Sequence, residues 1–375
     1  MGVHPGAGES NSNERSSGSF RSDNGNGAAD ATTKQVGSGQ PILVTGSHRS
    51  GTTWVGRMIA LAPNVHYIHE PFNLNHDRGI CGAKFDYWFT YVSRENEQPY
   101  YRHLQRMINL RYSPVQRFRQ TGTLRDWSSV GREWIHHARL RLRHPRILVK
   151  GPIAFFSADW MASSFDMEVL VMIRHPAAFA SSLKIADWQF AFEDWVKQPL
   201  LLEELLTPFA AEIEQQARHP GDIIDQAALL WKCMHHVILG YKAAHPEWLF
   251  IRHEDLSLDP VNGFRRIYTN LRLDFNDAVR DNIEQHSASS NPVGSVERRH
   301  EVKLNSRANL ETWKERLSEE ETLRIRRQVE EVSCFLYPTE SWERRSGISW
   351  LLAPTPTPTL APNGSHATPG ISSID

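Results

Sequence analysis

Three short stretches of this chain carry residue types suited to phosphate and proton chemistry. Residues 46–53 read Gly-Ser-His-Arg-Ser-Gly-Thr-Thr, two glycines spaced as in a phosphate-cradling loop and followed by two hydroxyls. Backbone N–H groups of such a loop, together with the helix N-terminus behind it, hold an anionic phosphate. A loop that binds ATP places lysine directly after the second glycine, where it reaches the β- and γ-phosphates. Thr52 stands there instead, and Arg49 supplies the loop's positive charge. The loop suits a phosphate ligand other than ATP.

Arg174 is the second such feature. It follows the apolar run Glu168 to Ile173, where a P-loop NTPase usually carries a magnesium-binding aspartate, and it precedes His175-Pro176 and a helix through Ser181, Ser182 and Lys184. An arginine at a strand end beside hydroxyls makes a second phosphate site without a metal; taken alone, it would equally serve as an ion-pair partner. Two metal-free sites on neighbouring strands point to a nucleotide phosphorylated at two separated places. Glu70 is the third feature. It ends the strand Val65 to Ile68 in His69-Glu70-Pro71, and the carboxyl ends of parallel strands line the ligand crevice of open α/β sheets. A capping or solvated carboxylate is the competing reading.

The elements that must position these residues alternate strand with helix. Short apolar runs at 42–44, 65–68, 146–150, 168–173 and 248–251 predict strands. Helical spacing predicts helices over 53–61, from Pro176 through Lys184, over 200–217 and 222–244, over 260–271 behind the Asp259-Pro260 cap, and from Ser318 to about Tyr337. The order is that of an α/β, P-loop NTPase-like three-layer fold with a central, mostly parallel sheet and helical insertions. One such insertion is expected over 85–146, a mostly helical stretch holding twelve arginines. That charge fits the steering of an anionic substrate, contact with a membrane surface, or a plain solvated face. Its aromatics Tyr87, Trp88, Phe89, Tyr91, Tyr100 and Tyr101 suit core packing, or a platform for a sugar. The stretch 288–310 reads as a loop, with Arg298, Arg299, Lys303 and Arg307 as candidate anion contacts.

Composition narrows the class. The 375 residues are 40% hydrophobic and 23% charged with a formal net charge of −1, so bulk charge points to neither nucleic acid nor membrane. Residues 1–40 and the Pro/Thr-rich 346–375 have too few apolar groups to offset ordering entropy, leaving one domain over 41–345 between disordered ends. With no long apolar run and no apolar signal core, a soluble cytoplasmic protein is expected. Cys81, Cys233 and Cys334 form neither a disulfide framework nor a zinc pattern, so no metal is expected.

Ser47-His48-Arg49-Ser50-Gly51-Thr52-Thr53-Trp54 resembles the 5′-phosphosulfate loop of sulfotransferases that use 3′-phosphoadenosine 5′-phosphosulfate (PAPS), and Arg174-His175-Pro176 through Ser182 resembles their 3′-phosphate motif. His253-Glu254-Asp255-Leu256 with Asp259-Pro260, and Trp313-Lys314 with Leu317-Ser318, are similar to later family segments. The resemblance implies that Ser50, Gly51, Thr52 and Thr53 bind the 5′-phosphosulfate, that Arg174 and Ser182 bind the 3′-phosphate, and that Trp54 stacks on adenine. It implies that Arg49, as in the carbohydrate and tyrosyl-protein branches, stabilises charge on the departing oxygen. Lys150-Gly151-Pro152 aligns with a Lys-Thr-His run, and the histidine that serves many members as base is absent. The resemblance to the carbohydrate and tyrosyl-protein branches, which use a Glu at the end of the strand after the loop helix, then implies Glu70 as the base, with His69 as runner-up and Lys150 on the sulfuryl oxygens. The implied reaction is metal-free transfer to a hydroxyl of a small-molecule, carbohydrate or lipid acceptor, with no nucleic-acid partner and a peripheral membrane contact as an open option. A P-loop kinase or GTPase, and a non-catalytic nucleotide-binding scaffold, are the competing readings.

Overall fold

The computed structural model describes residues 39–121, 127–293 and 303–343. Apart from Gly39 and Gln40, the expected disordered ends lie outside these residues, as do Arg125 and the candidate anion contacts Arg298 and Arg299.

Five parallel strands form one sheet in the order β2-β3-β1-β4-β5: β1 Ile42–Gly46, β2 Val65–His69, β3 Arg146–Lys150, β4 Glu168–Ile173 and β5 Leu249–Arg252. Side chains alternate across a strand, so each strand feeds two cores. Ile42, Val44, Leu148, Leu170 and Met172 face one layer, made by α1 (Thr52–Ile59), α12 (Pro260–Asn270) and α13 (Asp277–Ser287). Leu43, Ile147, Val149, Val169, Val171 and Ile173 face the other. In chain order, α2 is Tyr101–Ile108, α3 Pro114–Thr121, α4 Trp127–Leu142, α5 Ala158–Phe165, α6 Pro176–Ala186, α7 Glu193–Val196 and α8 Pro199–Glu204. Then come α9 Ala210–Arg218, α10 Ile223–Ala244, α11 His253–Leu258, α14 Thr312–Arg316 and α15 Glu319–Ser333. The result is the three-layer α/β fold expected from the strand–helix alternation.

The strand ends are tied at both edges of the sheet. At the N-terminal edge the guanidinium of Arg146 is held by Glu168 and by the carbonyls of Gln40 and Leu271, and Arg272 joins the same carboxylate. Arg146 therefore belongs to the scaffold. At the C-terminal edge the register sets Val44 and His69 both against Lys150, Gly46 against Met172, and Ile173 against Arg252. This brings the 46–53 loop, Glu70, Lys150, Arg174 and His253 to one edge, where crevices of parallel sheets lie.

Two expectations are corrected. The helix expected over 200–217 is broken into α8, a 3-10 turn Thr207–Phe209 and α9. Pro208 lacks an N–H and disfavours helical geometry at Thr207, whose hydroxyl donates instead to the carbonyls of Leu202 and Glu203. Residues 85–145 lie in the crossover between the adjacent strands β2 and β3, Arg146 already belongs to β3, and the first part of the expected insertion, to Tyr100, is loop rather than helix. Phe85, Phe89, Tyr91 and Val92 of that loop are buried in the main core, so this part is structural.

Candidate active site

Glycine geometry shapes the loop. Gly46 has φ 127°, and a Cβ there would lie 2.2 Å from the carbonyl oxygen of Met172 on β4. Gly51 caps α1 at φ 91°, and its Cβ would stand 2.6 Å from His253 Nδ1. Neither position accepts a side chain without moving its neighbour. Arg49 also sits in the left-handed region, at φ 63°. Helix α1 begins with no side-chain cap and no acidic residue in its first turn, which leaves its leading N–H groups and the positive end of its dipole for an anion. Thr52 is buried and Thr53 half-buried at that end, while the Ser50 hydroxyl closes the loop on the Ser47 carbonyl at 2.5 Å.

The two expected phosphate sites meet. Arg49 Nε donates to Ser182 Oγ at 2.9 Å, and the Arg174 guanidinium donates to the Arg49 carbonyl. Arg174 is held from behind: Trp231 Nε1 donates to its carbonyl at 2.8 Å, and the buried carboxylate of Glu254 attracts its charge. Burial and the charge of Arg49 bring the Arg174 pKa down to about 10 against that pull, so it stays cationic at neutral pH. Its Nε and the Ser181 hydroxyl are buried without hydrogen-bond partners among the described residues. Glu254 accepts from the His175 N–H and the Tyr337 hydroxyl, each at 2.9 Å, and burial raises its pKa. His175 caps α6 through Nδ1 and packs among Trp313, Tyr337 and Trp342, neutral because burial lowers its pKa to about 3. Lys184 turns away to Glu321, at 2.7 and 2.8 Å.

Trp54 packs edge-on against Phe264 and His253, with ring centroids 5.2 and 5.9 Å away, and its buried indole N–H has no hydrogen-bond partner among the described residues. His48 is enclosed by Trp188, Phe179 and Phe89 at centroid distances of 4.3, 5.0 and 5.3 Å, and burial takes its pKa down to about 3.

Glu70 and Lys150 form the other half. The Glu70 N–H bonds the Lys150 carbonyl at 2.7 Å, and its carboxylate pairs with Lys150 Nζ and accepts from Asn73 Nδ2 at 3.1 Å. Burial alone would raise the Glu70 pKa, but the charge of Lys150 and these hydrogen bonds outweigh it and leave the carboxylate below its ordinary value. Lys150 is 1% exposed, and burial lowers its pKa against the pull of Glu70. Gly56 of α1 makes room for it, since a Cβ there would lie 3.2 Å from Lys150 Cγ. Thr45 Oγ1 donates to the Gly151 carbonyl at 2.9 Å, tying the loop strand to the end of β3. His69 is exposed and meets the Tyr67 hydroxyl at 3.1 Å.

With this geometry in place, comparison with known proteins gives one decisive match. The sulfotransferase family's sequence model fits residues 41–277. The chain belongs to the sulfotransferase family. No curated protein sequence matches this sulfotransferase. Among solved structures it is similar to the sulfotransferase domain of the curacin biosynthetic pathway, at 14% identity over 78% of this chain and 97% of that one, with a TM-score of 0.43. Mouse sulfotransferase SULT7A1 complexed with PAP matches at 13% identity over 78% and 84%, TM-score 0.38. STF9 from Mycobacterium avium matches at 14% identity over 78% and 76%, TM-score 0.37. Among the described residues, no helix is long and apolar enough to cross a membrane and no cluster of potential ligands suits a metal ion.

Sequence reasoning missed three members of the site. Asn73 stands one turn after Glu70, Glu254 lies inside a segment quoted only for its likeness, and the aromatic cage of His48 is assembled from two distant segments, Phe89 from one and Phe179 with Trp188 from the other. Spacing signalled the first; nothing local signalled the cage.

Proposed function

We propose that this sulfotransferase moves the sulfuryl group of PAPS to an acceptor hydroxyl, with Glu70 as the base. The observation that carries the reading is the contact of Arg49 with Ser182 and of Arg174 with the Arg49 carbonyl, which joins the two anion sites into one. The residues fit such a donor. The uncapped start of α1 suits the 5′-phosphosulfate; Arg174, with its unpartnered buried Nε, and the hydroxyls of Ser181 and Ser182 suit the 3′-phosphate. PAPS supplies a sulfuryl group on a phosphate leaving group, so the products are a sulfate ester and adenosine 3′,5′-bisphosphate.

The chain's own residues do the rest. Ser50 to Thr53 hold the 5′ end, and Arg49 answers the charge that develops on the departing oxygen. Glu70 takes the acceptor's proton, a role that needs the ionised carboxylate, and Lys150 and Asn73 keep it ionised. Lys150 changes partner to the sulfuryl oxygens as that proton arrives. His69, next to Glu70 and exposed, is the reserve base. The acceptor is a small molecule, carbohydrate or lipid bearing a hydroxyl.

Adenosine 3′,5′-bisphosphate at millimolar concentration should raise the thermal midpoint of the protein, and sulfur-labelled donor should label a product from a host-cell extract. Absence of both effects, or magnesium-dependent turnover of ATP or GTP, would overturn the reading.

A further inference from the structure

Helix α4 turns an apolar stripe away from the protein. Its inner side is Val130 and His137, with Leu140 half-buried; His137 meets Tyr112 at 4.9 Å and His66 of the edge strand β2 at 6.3 Å. At 3.6 residues per turn, Trp127, Gly131, Trp134, Ile135, Ala138 and Leu142 fall within a sector of about 100° on the outer side. Trp127 is 55% exposed, Trp134 52%, Ile135 44% and Leu142 81%. A Cβ added at Gly131 would meet nothing within 4 Å, so among the described residues no other element covers the middle of the stripe.

Charge frames the stripe. On the same helical projection Arg132 and Arg139 lie along one flank and Arg141 along the other, and Arg143 follows the helix end; all four are exposed and none forms an ion pair among the described residues. The helix's one carboxylate, Glu133, projects towards the inner side and lies 3.9 Å from His137. An exposed apolar sector carrying two tryptophans and edged by unpaired guanidinium groups is complementary to a bilayer surface, where indole rings sit at the headgroup level and arginines meet lipid phosphates. At sixteen residues α4 is too short to span a bilayer.

We propose that α4 is a membrane-docking helix, which lays its tryptophan stripe into the headgroup layer of an anionic bilayer while Arg132, Arg139, Arg141 and Arg143 engage the lipid phosphates. The surface is separate from the strand-end crevice and its function does not depend on the reaction assigned there.

Sedimentation of the full chain with vesicles tests this. The protein should pellet with phosphatidylcholine vesicles that contain phosphatidylglycerol and stay in solution with pure phosphatidylcholine, and added salt should release it. Trp134→Glu should lower partitioning about tenfold or more, since it replaces an inserted ring by a repelled charge. Arg132→Ala and Arg139→Ala should each lower it about fivefold at low salt. Unchanged thermal midpoints would show that these exposed substitutions spare the fold. The proposal is overturned by no binding to anionic vesicles, by equal binding to both vesicle types, or by a concentration-dependent dimer that Trp134→Glu dissolves, which would make the stripe a contact between two copies of the chain.

Discussion

The two halves of the crevice are built on opposite electrostatic plans. Around Arg49 and Arg174 the polypeptide gathers positive charge and leaves buried polar atoms, Arg174 Nε, Ser181 Oγ and Ser47 Oγ, without hydrogen-bond partners among the described residues. Around Glu70 the charges cancel: one carboxylate, one ammonium and one amide satisfy each other. An unsatisfied buried polar group costs about 1–3 kcal/mol, so the first half is stabilised when an anion completes it. The second half needs no ligand. Its chemistry has to come from a change of partner.

That contrast ranks the substitutions. Glu70→Gln removes the proposed proton acceptor from the self-satisfied half and leaves the anion half intact. Turnover should fall about 10²–10⁴-fold, with affinity for adenosine 3′,5′-bisphosphate unchanged in a direct binding titration. Retention of most activity would move the base elsewhere, with His69 as the next candidate.

Arg174→Ala does the reverse. It removes a charged donor from the anion half, and the loss of charge-assisted hydrogen bonds should weaken the bisphosphate about 10–100-fold. Adenosine 5′-phosphate, which lacks the 3′ group, should bind the variant and the parent alike. Equal affinity of the parent for both nucleotides would remove Arg174 from that role.

The two halves also differ in how legible they are in the sequence. The loop of the anion half is local: Gly46, Arg49, Gly51 and Thr52 are close in sequence, and the glycines are required by backbone geometry that spacing reveals, whereas its meeting with Arg174 and Ser182 came only with the fold. The strands were equally legible, since each is a short apolar run that feeds two cores. The partnership of Glu70 with Lys150 was not, because it depends on the register of β2 against β3 across a connection of more than seventy residues. Each residue was singled out by its strand end, but the ion pair came only with the fold. The break in the 200–217 helix was signalled by Pro208 and overridden by the apolar period around it. The outer stripe of α4 has the period of a core-facing helix, and only the packing shows that it faces outward.

Lys150→Ala tests the balance inside the second half. Without the ammonium, burial is the main influence left on the Glu70 carboxyl and acts to raise its pKa. The acid limb of kcat/KM should therefore move to higher pH in the variant, whereas in the parent it lies below the ordinary glutamate range. A limb that stays in place would mean that Lys150 does not set the ionisation of the base.

The smallest effect separates the halves by their response to acid. His48 is buried in its aromatic cage beside Arg49 and its pKa is lowered to about 3, so the folded protein holds it neutral while the unfolded chain protonates near 6.5. Stability from this group is fully present above pH 6.5 and is lost as pH falls towards 3, at about 1.4 kcal/mol per unit. Glu70 has the opposite character: its depressed pKa gives stability that is present above the normal glutamate value and lost only at still lower pH. Between pH 6.5 and 5 the crevice should therefore weaken through its buried neutral histidines, His48 with His175 and His253, and not through Glu70. Denaturant titrations across that window should show a shallower decline for His48→Asn than for the parent, whatever the variant's stability at pH 7. Parallel slopes would mean that His48 is protonated in the folded protein, beside Arg49, and that the anion half tolerates more positive charge than its packing implies.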